Sequence, residues 1–147
     1  KRRARKPAPM KTSDPQPREI RTEDAPAPVG PYSQAIRTGE LVFASGQIPL
    51  DPASGRIVEG EIEDEARQVI ANLRAVLEAS GSGLDRVVRT TVYLTDLSLF
   101  PRVNAVYGEA FAAEPAPARV TIGVAALPLG ARIEIDAIAI ALGDRSS

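Results

Sequence analysis

Two residues of opposite charge stand close together near the end of the chain, and they are the first candidates for chemistry. Arg119 and Glu134 both fall in the stretch 115–136. Val120, Ile122 and Val124 alternate with Arg119, Thr121 and Gly123, and Ile133 and Ile135 alternate with Arg132, Glu134 and Asp136. That is the period of half-buried strands. The run 137–141 is then apolar at every position, as in a strand covered on both faces. In a chain of 147 residues the cover expected for Ile138 and Ile140 is a second copy of the same chain. A carboxylate at the edge of such an interface, with an arginine on a nearby strand, makes a candidate small-molecule site. Other chemistries are closed. With no cysteine there is no thiolate nucleophile and no zinc–thiolate centre, and with no histidine there is no Ser-His-Asp triad. Lysine does not occur after Lys11, which removes a Schiff-base lysine from the folded part. Proton transfer falls to Asp, Glu, Tyr or water.

The elements that must position these residues can be read in order. Residues 1–18 carry seven basic side chains against Asp14 alone, a net of +6, with several prolines and Met10 as the one large apolar residue. Such a segment cannot bury enough surface to order itself and is expected to be a disordered tail. Residues 19–147 form the folded domain, with a net charge of −7. After a proline-rich lead-in at 25–31, residues 32–36 and 41–45 read as a hairpin turning at Gly39-Glu40. The spacing of Ile62, Ala66, Val69, Ile70, Leu73, Val76 and Leu77 predicts a helix over 59–80, ending at Gly81. Glu61, Glu63, Asp64 and Glu65 crowd its start, where the helix dipole favours acids. Residues 87–94 are rich in β-branched types and read as a strand. Asp96 and Ser98 are candidate N-caps for a second helix over 100–112, with Pro101 in its first turn. The order β-β-α-β-α-β-β gives an α+β domain of one sheet with both helices on one face, leaving the other face for self-association. No apolar run reaches the ~20 residues of a membrane span. No signal peptide pattern is present, and a cytoplasmic location is expected.

Five blocks, in order, resemble the RidA/YjgF family, the reactive intermediate (enamine/imine) deaminases. They are Ala27-Pro28-Val29-Gly30-Pro31-Tyr32-Ser33-Gln34, Ser45-Gly46-Gln47-Ile48-Pro49, Val103-Asn104-Ala105-Val106-Tyr107, Pro117-Ala118-Arg119, and Ile133-Glu134-Ile135-Asp136-Ala137-Ile138-Ala139. The resemblance implies a bacillus chorismate-mutase-like fold, a single mixed sheet with the last strand in its middle. A naive reading would instead pair 118–124 with 132–141 as a hairpin. It also implies a homotrimer with ligand sites between subunits, and hydrolysis of 2-imino acids from pyridoxal-phosphate dehydratases to 2-keto acids and ammonia.

Carried onto this chain, Arg119 would bind the substrate carboxylate through its planar fork. Glu134 would hold the attacking water, and Tyr32 would line the cleft near the leaving nitrogen. Ser45, Gly46 and Asn104 would support them, with Gly46 expected to meet a backbone requirement. Thr121 stands where the family often has cysteine and would keep a hydroxyl for the ligand. No metal and no organic cofactor is implied. Two other readings stay open. One is a metabolite-binding trimer without catalysis. The other is RNA binding or cleavage, which the acidic domain and the missing histidine disfavour.

Overall fold

The computed structural model describes residues 16–143, and nearly all of the basic segment read as a tail lies outside them. The elements are β1 (Arg18–Ile20), β2 (Ala35–Thr38), β3 (Leu41–Gln47), α1 (Ile62–Ala79), β4 (Val87–Leu94), α2 (Phe100–Ala110), β5 (Ala118–Gly123) and β6 (Ile133–Ile140). Helices and main strands fall where the periodicity puts them. Two boundaries differ. The first sheet strand begins at Arg18, which the sequence reading assigns to the disordered tail, and adds a sixth strand to the expected five. The strand expected at 32–36 begins only at Ala35, so Tyr32 and Ser33 belong to the connection before it. Asp96 does cap, but it caps the short 3₁₀ turn Leu97–Leu99, accepting from the Ser98 N–H at 2.9 Å.

The sheet order is β1-β2-β3-β6-β4-β5. β6 lies antiparallel between β3 and β4, and β5 runs parallel to β4 at the edge. This is the single mixed sheet that the family resemblance implies, and the β5–β6 hairpin does not form. The parallel β4–β5 pair requires a crossover, which α2 supplies. The β6 residues Ile133, Ile135, Ala137 and Ala139 are buried on one face. Across from them α1 buries Ile62, Ala66, Val69, Leu73, Val76 and Leu77, and α2 buries Val103, Val106 and Tyr107. Small residues at 137 and 139 let α1 approach the sheet closely. Complete burial of leucines such as Leu73 and Leu77 contributes about 2 kcal/mol each.

Among the described residues no element covers the opposite face of the sheet. Leu41, Phe43, Val120, Ile122 and Ile140 remain 38–43 % exposed there, beside Glu134, Asp136 and Tyr93. An apolar face of this kind in a small domain is a surface for association.

The acids at the start of α1 are accounted for by partners. Asp64 accepts from the Glu61 N–H at 2.9 Å, and Arg102 bridges Glu61 and Glu63 at 2.8 and 2.5 Å. Glu65 is buried and receives the side chain of Arg132, whose Nη2 also donates to the Gly60 carbonyl at 3.1 Å. Arg132 is the residue before β6, so this clamp fixes where the central strand starts. At the other end Arg37 closes α1, donating to the carbonyls of Ser80 at 3.0 Å and Leu142 at 2.8 Å.

The lead-in to β2 is tied down by one buried amide. Gln34 Oε1 accepts from the Thr22 N–H at 2.8 Å, and its Nε2 lies 3.0, 3.3 and 2.9 Å from the carbonyls of Thr22, Ala25 and Pro26. Gln34→Leu keeps the volume and leaves these backbone groups unpaired. Urea unfolding should show a loss of about 2–4 kcal/mol, with hydrogen exchange at 22–26 rising first; an unchanged midpoint would show that the amide does not hold this segment.

Candidate active site

A cleft of about 350 Å³ opens where the lead-in crosses the end of the sheet. Its walls are mainly apolar, from Pro26, Ala27, Val29, Ile48, Leu50 and Pro128, and its polar groups include Tyr32, Ser45 and Glu134. The irregular pairing of β3 with β6 between Ala44 and Gln47 lifts Ser45 and Gly46 out of the regular ladder. Ser45 does not face the cleft freely: its hydroxyl donates to the Ser33 carbonyl at 2.6 Å, and its N–H donates to the Gln34 carbonyl at 2.9 Å. It thereby fastens the Tyr32 segment to β3. Tyr32 is half exposed, and its Oη accepts from the Val29 N–H at 3.3 Å.

Gly46 is required for space. A β-carbon there would stand 2.9 Å from Cδ of Glu134 and 3.1 Å from its Oε1. This replaces the expectation that Gly46 serves backbone conformation, since the clash falls on the Glu134 side chain itself. Glu134 is partly buried against this glycine. Burial first, and the nearby charge of Asp136 second, raise its carboxyl above the ordinary glutamate value. Asp136, two residues on along the same face, accepts from Tyr93 Oη at 3.0 Å and from the Thr91 N–H at 3.2 Å.

Arg119 lies elsewhere. It pairs in register with Thr90, which in turn pairs with Ala137. Thr90 is fully buried and its hydroxyl meets Tyr107 Oη of α2 at 2.6 Å, so this row faces the helices. Arg119 follows it. Its guanidinium lies 4.7 Å from the ring centroid of Tyr107 and 5.2 Å from that of Phe100, and its Nη1 donates to Asn104 Oδ1 at 2.7 Å. Asn104 thus braces the arginine from α2, and the aromatic pair gives it a cation–π platform. Thr121 shares this face, opposite buried Val92, and its Oγ1 is buried with no partner among the described residues.

The seven sequence-derived residues therefore form two groups. Tyr32, Ser45, Gly46 and Glu134 gather in the cleft on the open side of the sheet; Arg119, Thr121 and Asn104 gather on the helix side at the free edge of β5. One protomer does not bring the two groups together, because neighbouring pleats point oppositely. The sequence reading missed four contributors: Gln34, Asp136, Phe100 and Tyr107. Gln34 was visible inside a matched block, whereas the Arg119 platform depends on a helix crossing that no local pattern encodes.

The family model described as Endoribonuclease L-PSP matches residues 22–141. A RutC family protein of Pyrococcus horikoshii is 52 % identical over 109 residues, covering 74 % of this chain and 86 % of that protein. The chloroplastic Reactive Intermediate Deaminase A of Arabidopsis thaliana is 49 % identical over 110 residues, covering 75 % of this chain and 58 % of that protein. Among solved structures, E. coli TdcF with bound serine superposes with a TM-score of 0.80 at 38 % identity, covering 85 % of this chain and 99 % of that one.

Gly46→Ala tests the packing of the carboxylate. The added methyl should push Glu134 to another rotamer and cost about 1–3 kcal/mol as an overpacked site. A crystal structure of the variant with Glu134 unmoved would refute the spatial role.

Proposed function

The chain belongs to the RidA/YjgF family, whose family model is described as Endoribonuclease L-PSP, and we propose that it hydrolyses reactive 2-imino acids to 2-keto acids and ammonia. The observation that carries this reading is the carboxylate of Glu134, pressed on Gly46 in an apolar-walled cleft beside Tyr32. Burial of that kind makes a carboxylate a better base near neutral pH. The second half of the site is the Arg119 fork at the free edge of β5. Because it faces away from Glu134 in one protomer, the reading needs a neighbouring copy to lay its cleft against that edge. The exposed apolar sheet face supports such association, and the expected assembly is a homotrimer.

Chemistry follows from these placements. Arg119 holds the substrate carboxylate in two parallel hydrogen bonds. A water on Glu134 attacks the imine carbon; the C–O bond forms as Glu134 takes the water's proton and the C=N electrons move to nitrogen. Glu134 returns that proton to the nitrogen, on the side where Tyr32 lines the cleft, giving a neutral carbinolamine. Glu134 then takes the hydroxyl proton as the C=O forms and the C–N bond breaks, and passes it to the departing nitrogen, which leaves as ammonia. An imine is already a strong electrophile, so base help of about 10²–10⁴-fold and placement of the reactants suffice. No metal or cofactor enters these steps.

A second reading is RNA binding or cleavage, favoured by the name of the family model and by the basic residues 1–18. A gel shift with and without those residues separates it from the first.

Arg119→Ala should lower keto-acid release from imines generated in situ by at least about 100-fold, roughly the loss of a charge-assisted bidentate contact, with assembly intact by ultracentrifugation. Arg119→Lys should also be poor, since it loses the fork. Unchanged activity in either would remove Arg119 from the mechanism.

Glu134→Gln should also abolish activity, and the wild-type rate should fall as pH drops through the raised carboxyl value. For stability the sign is opposite. A carboxyl whose folded value is raised favours folding at low pH, and that contribution is lost as pH rises through it. Thermal melts of Glu134→Gln at neutral pH should therefore match or exceed wild type; a clear drop would contradict the strained carboxylate.

A further inference from the structure

The carboxylate of Asp136 has no role in the steps above, yet it is the more carefully held of the two acids on the open face of β6. Tyr93 pairs in register with Glu134 but sends its hydroxyl diagonally to Asp136 Oδ2 at 3.0 Å, and the Thr91 N–H reaches Oδ1 at 3.2 Å. We propose that Asp136 is a positioning residue that acts on the reaction only through Glu134, as a fixed negative charge locked in place by Tyr93 and Thr91. This rests on the reading of Glu134 as the base.

Within one protomer the surroundings of Glu134 leave few competitors for that role. On β4 the titratable side chains of the open face are Tyr93 and Arg89. Arg89 lines the same shallow depression as Asp136, with Phe43 and Ile138, and forms no ion pair among the described residues. β3 brings Ser45, Gly46 and Gln47, none of them charged. The lead-in brings Tyr32. Arg132, two residues before Glu134 and just ahead of β6, is drawn away to Glu65 and the Gly60 carbonyl.

Asp136 is thus the one negative charge on the same strand face beside Glu134, about 7 Å away by the rise of a strand. A like charge at that range on a partly buried surface disfavours ionisation of its neighbour and so makes the neighbour the stronger base. Two hydrogen bonds fix where the Asp136 carboxylate sits, while Glu134, with apolar walls and a glycine beside it, is the group whose carboxyl is raised. The burial and Asp136 contributions to Glu134 agree with this division of roles, as does the upward push on Tyr93 from burial and from its bond to Asp136.

The test reads the proton on Glu134 directly. Carbon-13 NMR of the full-length protein would follow its side-chain carboxyl through a pH titration in wild type, Asp136→Asn, Asp136→Glu and Tyr93→Phe. Asp136→Asn keeps the shape and removes the charge, with its Oδ1 still accepting from the Thr91 N–H and its Nδ2 able to donate to a rotated Tyr93 hydroxyl, so the Glu134 midpoint should move to lower pH. Asp136→Glu should restore it. Tyr93→Phe leaves the charge less satisfied, and the midpoint should not fall. In parallel, the acid limb of kcat for imine hydrolysis should shift with the midpoint in Asp136→Asn, which a merely structural residue would not produce. A midpoint that stays in place in Asp136→Asn, or one that falls equally in Tyr93→Phe, overturns the proposal. A shifted midpoint with an unmoved acid limb instead overturns Glu134 as the base, and with it the action of Asp136 on the reaction.

Discussion

Everything in the candidate site depends on where the last strand lies. β6 enters the middle of the sheet, between strands that precede it by many residues, and its helix-facing side is completely buried at Ile133 and Ile135. A one-residue slip would reverse every side chain on it, sending Glu134 into the core and an isoleucine into the cleft. The register is fixed from two directions. Burial of alternate residues under α1 selects the face, and the Glu65–Arg132 contact, buried at its carboxylate end, selects the starting point. An ion pair with one buried partner is weak evidence for stability and better evidence for specifying one arrangement. Here the arrangement specified is the height at which a carboxylate meets Gly46.

The same pleat that places Glu134 also separates it from Arg119. Two strands away and on the other face, the arginine is tied to α2 through Asn104, Phe100 and Tyr107. A site divided in this way within a protomer has its parts preorganised separately: one half by the sheet and the proline-rich lead-in, the other by a helix. Under the proposed function, substrate chemistry would be conditional on assembly, because neither half alone holds both a carboxylate anchor and a base. In the proposed trimer the apolar open face would then do more than bury surface: it would set the distance between the two halves.

Much of this was legible in the sequence. The 3.6-residue stripe from Ile62 to Leu77 and the β-branched run at 87–94 gave their elements because burial and local propensity agreed there. Residues 133–140 were harder. Their pattern identified a strand, but its place between β3 and β4 is a non-local pairing that no period encodes, and only the resemblance of five blocks supplied it. Arg119 and Glu134 were picked out correctly as charges on strands, yet the sequence left them side by side, since facing direction emerges only after pairing partners are assigned. Gly46 was read as a backbone necessity, the usual reason for a glycine; the clash with Glu134 comes from a residue 88 positions later in the chain. Gln34 shows the same limit. It stands inside a matched block, but its hydrogen bonds to Thr22, Ala25 and Pro26 exist only once the lead-in has folded back.

The two charges are also held in opposite electrostatic ways, and this asymmetry fits what each would do. Arg119 sits at an exposed edge over aromatic faces, where its charge is favoured and its direction constrained. A guanidinium stays protonated at any working pH, so a rigid platform costs it nothing in charge and improves its hold on a planar anion. Glu134 is treated the other way: desolvated, packed on a glycine and set near another acid, so that its anion is disfavoured. An anchor must hold the same charge before and after reaction, whereas a base must give up its charge and regain it. A fold that comforts the first and strains the second has assigned the two roles by environment, with residue types that occur many times elsewhere in the chain.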